Sequence, residues 1–287
     1  MRRGFIVAIA LLTGCASLSE RHFEPTGAAE LFARDLVSTA RSEVRLAISP
    51  DGNRMLWGVL EWPEGPGKWE IVESVRSGGH WSVPKPAAFN SAANDFDPSF
   101  APDGSGVYFF SNRDGGLGGD DIYFAPLDGE PRNLGANINS GKDEWAPVVS
   151  PDGQTLLFAS DGRGGLGKHD LFMSRRAPDG WSEAVNATGL NTEAEDFDAT
   201  FLDDGHSIVL SSGSFEGAVN LFFVPYRRGG FGPRQRLTDA INSTEQGAWT
   251  FGPSITAREP GVLYFTSRHA INAGRADIYR IRYTLHR

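Results

Sequence analysis

Short apolar runs alternate with glycine-rich turns along the chain, and the alternation repeats. Between Glu144 and Met173 the sequence reads EWAPVVSPDGQTLLFASDGRGGLGKHDLFM. Two apolar runs flank Ser150-Pro151-Asp152-Gly153, and a Gly-rich loop leads to a third run, Asp170-Leu171-Phe172-Met173. Proline at the second position and glycine at the fourth suit a type I turn whose last residue is left-handed. Runs this short, bounded by such turns, predict β-strands.

The same turn returns as Ser49-Pro50-Asp51-Gly52, Ala101-Pro102-Asp103-Gly104 and Leu202-Asp203-Asp204-Gly205, with a degenerate fifth copy, Arg258-Glu259-Pro260-Gly261. Successive copies are 52, 49, 52 and 56 residues apart. One predicted strand follows each turn (Leu156-Leu157-Phe158 is typical) and another follows each loop. A period near 50 residues, built of short strands and Gly-rich turns, predicts an all-β fold: a β-propeller of four-stranded antiparallel blades. Five blades are expected; the six-bladed alternative needs a further copy that the sequence does not show. The last blade is one strand short, so an N-terminal outer strand at about residues 29–36 is expected to close the circle and leave no open edge.

The pattern Asp/Glu-x-x-Pro-x-x-Ser-Pro-Asp-Gly, an apolar strand, Ser-x-Arg-x-Gly-Gly and Asp-Ile-Tyr resembles the WD40-like repeat of TolB-type propellers. The third repeat matches best; the first and fourth depart in the Gly-rich loop, and the fifth in the turn. The resemblance implies architecture rather than activity, because propellers host unrelated functions. Members of that family also carry an N-terminal α/β domain, for which residues 16–30 are too few, so its partner contacts are not carried over.

The first residues read as an address. Met1-Arg2-Arg3 is basic, and Phe5 to Leu12 is apolar but too short to span a bilayer. Leu12-Thr13-Gly14-Cys15 resembles a bacterial lipobox, in which the chain's single cysteine would be acylated; an ordinary signal peptide is the alternative. The expected organisation is a signal peptide over 1–14, a tether over 15–30 and one propeller over 31–287. The resemblance of this address to Gram-negative sorting patterns, with Ala16 rather than aspartate after the cysteine, implies a lipid anchor in the outer membrane, facing the periplasm. Cleavage would remove Arg2 and Arg3 and take the net charge from −9 to −11, a poor balance for binding nucleic acid.

Strand parity sorts the candidate site residues. The Gly-rich loops and the acidic positions ahead of each first strand should share one face. Those positions are Glu43, Asp95, Glu144 and Asp196, with Glu245 as a looser fifth, and Arg113, Arg163 and Arg268 lie in loops of the same face. An acidic ring at the channel mouth is expected. It could hold a cation or supply a carboxylate pair for glycoside hydrolysis. Alternatively it could cap turns and pair with loop arginines, which explains its repetition better. Trp62 also falls on this face, where an exposed indole could stack on a sugar or anchor a partner. Trp57 aligns with core positions, and Phe96, Trp145 and Phe197 read as packing between blades.

Other chemistry is sparse. The runs Gly115-Gly116-Leu117-Gly118-Gly119 and Gly164-Gly165-Leu166-Gly167 open no helix and precede no Gly-Lys-Ser/Thr, so they are loop turns rather than a phosphate cradle. Asp161 and Asp170 flank one of them without an EF-hand pattern, leaving calcium unsupported, and no other cofactor or metal is expected. The six histidines show no ligand spacing, and no Gly-x-Ser-x-Gly elbow exists. The expectation is a monomeric, non-enzymatic scaffold binding an envelope protein or glycan, with a carbohydrate-active propeller as the alternative.

Overall fold

The computed structural model describes residues 21–60, 68–227, 229–268 and 275–286. Cys15 and the signal segment, and Trp62, lie outside the described residues.

Five four-stranded antiparallel sheets account for the described chain. Their first strands are Ser42–Ile48, Asp95–Phe100, Glu144–Val149, Glu195–Phe201 and Trp249–Ser254. These five touch one another in a closed ring and form the innermost layer. The second strands are buried along their apolar stretches, as at Leu56-Trp57, Phe109-Phe110 and Leu156-Leu157-Phe158. Between the sheets the core also closes on itself. Leu56 and Ile71 share a cluster with Phe109, Tyr108 with Leu156 and Phe158, Leu171 with Leu210, Phe223 with Phe265, and Tyr264 with Leu46 and Trp57. Each such side chain contributes roughly 1.5–3 kcal/mol on burial.

The turns form as the sequence predicts. Gly153 donates its N–H to the Ser150 carbonyl at 2.8 Å and takes φ +74°, while Ser150 Oγ donates to Asp152. Even the degenerate fifth turn ends on a left-handed glycine, Gly261 (φ +72°).

The fifth sheet is closed from the other end of the chain. Its outer strand is His22–Leu31, antiparallel to Ala276–His286 with Pro25 opposite Tyr283. This strand begins before the expected 29–36, and residues 22–30 belong to the sheet rather than to a tether. Only Phe23 in it is buried, stacked on Tyr283 at 4.7 Å, because the strand lies on the rim. Ala33 to Val37 then turn inward, with the Val37 N–H donating to the Ala33 carbonyl at 2.8 Å.

Every innermost strand carries a β-bulge at the same place. The ladder register shifts between Val44 and Ala47, Phe96 and Ser99, Trp145 and Val148, Phe197 and Ala199, and Phe251 and Ser254. At each shift one residue has a left-handed backbone: Arg45, Asp97, Ala146, Asp198 and Gly252, with φ from 40° to 58°. Four of the five are not glycine, so this conformation is strained and is held by its surroundings. A bulge re-aims the side chain it carries.

Candidate binding site at the channel mouth

The acidic positions read from the sequence do not line a channel. Glu43, Asp95, Glu144 and Asp196 are each at most 1% exposed, and each folds back onto the loop before it. Asp95 accepts from the Ser91 N–H and hydroxyl, and Asp196 accepts from the same two groups of Thr192. Glu144 accepts from the Ser140 N–H and the Ser160 hydroxyl, and Glu43 from Thr39. These are loop caps. Glu245 is not their fifth member: it is exposed, and the matching place two residues before the left-handed Gly252 belongs to Thr250, which is buried. Burial raises the carboxyls of Glu43, to about 7, and of Glu144, against the hydrogen bonds they accept.

The loop arginines complete this scaffold in different ways. Arg113 meets Asp95 at 2.5 Å and the Phe89 carbonyl at 3.0 Å. Arg163 instead donates to the carbonyls of Ala136, Ile138 and Asn139. In the fourth sheet, whose loop lacks an arginine, Arg234 reaches Asp196 at 2.7 Å from the strand connection beyond. Arg268 lies over the Trp249 ring at 5.4 Å from its centroid, with its pKa lowered by burial. The Gly-rich loops bend over Asp121 and Asp170, which accept backbone N–H groups of Leu117, Gly118 and Gly167. They also press on the next blade: a Cβ on Gly118 would stand 2.0 Å from the Lys142 carbonyl oxygen. Asp161 accepts the Asp143 N–H. No three His, Cys, Asp or Glu side chains among the described residues are grouped as metal ligands.

What opens at the mouth is an aromatic cup of about 420 Å³. Its walls are Trp69, Phe96, Phe110, Trp145, Phe197, Phe215, Trp249 and Phe251. Val44, Phe96, Trp145, Phe197 and Phe251 each precede a bulge residue. The three of these read from the sequence as packing between blades do pack across blades, Phe96 on Trp69 and Trp145 on Phe110, and they line the cavity as well. Neighbouring rings touch in sequence around the wall: Trp69 and Phe96 at 5.3 Å, Phe197 and Phe215 at 4.9 Å, Phe215 and Trp249 at 5.5 Å. Trp145 is backed by His169, stacked at 4.1 Å, and its indole N–H donates to Asp120, whose carboxyl is pushed up to about 6 by burial. Trp57 is core, as expected.

The bulge residues make the floor. Asp97 and Asp198 line the cup, and Arg45 lines a second cavity of about 390 Å³ on the opposite face. The Arg45 guanidinium meets Asp198 at 3.4 Å and reaches the carbonyls of Ala146, Pro147 and Ala199, so this pair stands between the two cavities. Burial first, and then the Asp198 charge, push the Asp97 carboxyl well above the usual carboxylate range, with Arg45 acting against them. Asp198 is raised by burial, opposed by Arg45 and by the Gly252 N–H it accepts. Sequence reasoning missed this floor, although Asp95-Phe96-Asp97 and Asp196-Phe197-Asp198 show the doubled acid that marks it.

Fold and site together define a β-propeller with an aromatic cup at one end of its axis. No protein-family model matches the chain, and no curated protein matches it. Solved structures do. TolB from Acinetobacter baumannii superposes with a TM-score of 0.51 at 17% identity, over 85% of this chain and 56% of that one. The chain thus spans little more than half of that protein. A putative TolB from Agrobacterium tumefaciens gives 0.52 at 17% identity, over 86% of this chain and 91% of that one. A gluconolactonase from Xanthomonas campestris gives 0.53 at 13% identity, over 92% and 98%. At these identities the likeness is one of fold, the β-propeller fold that TolB also has.

Proposed function

We propose that this chain is a binding module of the bacterial cell envelope, held to the outer membrane by a lipid on Cys15. It docks a protein partner on the face carrying the Gly-rich loops. The observation that carries the reading is the cup, in which half-buried indoles of Trp69, Trp145 and Trp249 surround an open concave space on the propeller axis. Concave apolar surface with a few convergent polar groups is the ordinary form of a ligand site. Ring-rich walls are also what partner anchors fill.

A protein fits better than a sugar because the rim is apolar too. Leu117 and Leu166, at matching positions of two Gly-rich loops on this face, are 48% and 66% exposed. The hydrolytic alternative drew on Glu43, Asp95, Glu144 and Asp196, and those carboxylates are engaged in holding loops.

The test is capture of partners from crosslinked envelopes by the acylated protein, beside a Trp249→Ala, Phe251→Ala variant and a Leu117→Ser, Leu166→Ser variant. A protein retained by the wild type and lost from both folded variants is the expected result. An unchanged set of captured proteins would remove this face as the docking surface, and glycan binding would become the reading to pursue.

A further inference from the structure

Asp97 is the one floor residue whose chemistry is incomplete. It is 6% exposed and lines the cup, yet its carboxyl has no hydrogen-bond partner among the described residues. A carboxylate can accept about four hydrogen bonds, and the Asp97 carboxyl faces the open space of the cup. Its polar neighbours are engaged elsewhere. Arg45 spends its guanidinium on Asp198 and three carbonyls, and Trp145 donates to Asp120. The left-handed backbone at Asp97 (φ 52°) holds the side chain in this place at the expense of local strain. Strain and desolvation together mark a group kept ready for something that enters from the cup.

We propose that the cup receives an organic cation, a lysine or arginine side chain of the partner protein, with its apolar stem against the aromatic wall and its donors on Asp97. This deepens the binding-module reading and rests on it. Aromatic faces attract ammonium and guanidinium groups, and the cup already shows the contact in Arg268 over Trp249. A charge-assisted bond to a desolvated carboxylate is the strong kind. The net charge of −9 also favours approach of a basic segment. The charged groups around Asp97 are Asp198, Arg45 and Asp120, and Arg268 lines the same cup nearer its wall. Counting Asp97 itself, three of these five groups are acidic, so the floor leans acidic. A cation at this place favours the ionised form of Asp97, so binding should tighten as pH rises.

Phenethylammonium, phenethyl alcohol and phenylpropionate probe the cup with one stem and three heads, read by the fluorescence of Trp69, Trp145 and Trp249 and by calorimetry in two buffers. The expected result is that the ammonium binds about tenfold or more tightly than the alcohol, and that Asp97→Asn abolishes this preference. Trp249→Ala should weaken both. Equal binding of ammonium and alcohol, preference for the carboxylate, or binding of none of the three would overturn the proposal. Partner capture that depends on the cup but shows no preference for cations would overturn this inference and leave the binding-module reading standing.

Discussion

Asp95 and Asp97 stand two residues apart on one strand and live in opposite circumstances. Asp95 accepts bonds from Ser91 and from Arg113, and its counterparts in three other sheets hold their loops in the same way. Asp97 has no such set, and its counterparts around the ring are an arginine, an alanine, an aspartate and a glycine. The comparison teaches that in a repeated fold, what recurs in every blade serves the blade. What differs from blade to blade at one structural position is free to serve a ligand. Propeller stability arises from nearest-neighbour repeats, so selection for stability alone has no reason to make the floor irregular.

The comparison can be broken most severely at the scaffold. Asp196→Ala would take the buried carboxylate from the half-buried Arg234 and uncap the Thr192 loop. Breaking a buried pair from one side costs about 3–5 kcal/mol, an upper bound for this partly exposed arginine, and urea unfolding would read the loss as a lower midpoint at unchanged slope. Next in size is the effect of pH. Asp97, Asp198 and Glu43 hold their protons more tightly when folded than when unfolded. Below about pH 4 both states are protonated and these groups contribute nothing. As pH rises, the unfolded chain ionises first. Stability should then fall as pH rises toward 7. The turn aspartates Asp51, Asp103 and Asp152, held low chiefly by side-chain hydrogen bonds from Ser49, Ser105 and Ser150, act in the opposite sense at the acid end. A melting profile should therefore peak on the acid side of neutrality.

Smaller still is Gly118→Ala, whose added methyl meets the Lys142 carbonyl. Overpacking of this kind costs about 1–3 kcal/mol, and neighbouring Asp143 and Glu144 amides should lose protection from hydrogen exchange. The smallest effect on stability belongs to the cup wall. Trp249→Ala removes a half-buried ring and should cost about 1 kcal/mol in chemical unfolding, while abolishing partner capture.

Turns, strands and blades were legible because their causes are local: Gly153 must take φ +74°, and Leu156-Leu157-Phe158 must be covered. The outer strand was harder to place, since His22–Leu31 lies on the rim and buries only Phe23, leaving no apolar alternation to read. The cup was illegible for a geometric reason. Simple strand parity puts Asp95 and Asp97 on one face and Phe96 on the other. The bulge between Phe96 and Ser99 cancels that rule, so Phe96 and Asp97 both reach the cavity while Asp95 turns back into its loop. The residues of the ring were found from their period, but their neighbours could not be, because Arg113, Arg163 and Arg268 meet three different kinds of partner.

The most direct measurement is the thermal midpoint of Asp95→Asn and Asp97→Asn at pH 7, side by side with the wild type. The predicted result is a change of opposite sign in the two variants. Asp95→Asn should melt lower, because the amide cannot replace a carboxylate against Arg113, and Asp97→Asn should melt higher, because it removes an acid whose charged form burial disfavours. A fall in both midpoints would make Asp97 one more piece of the scaffold and contradict the division between ring and floor.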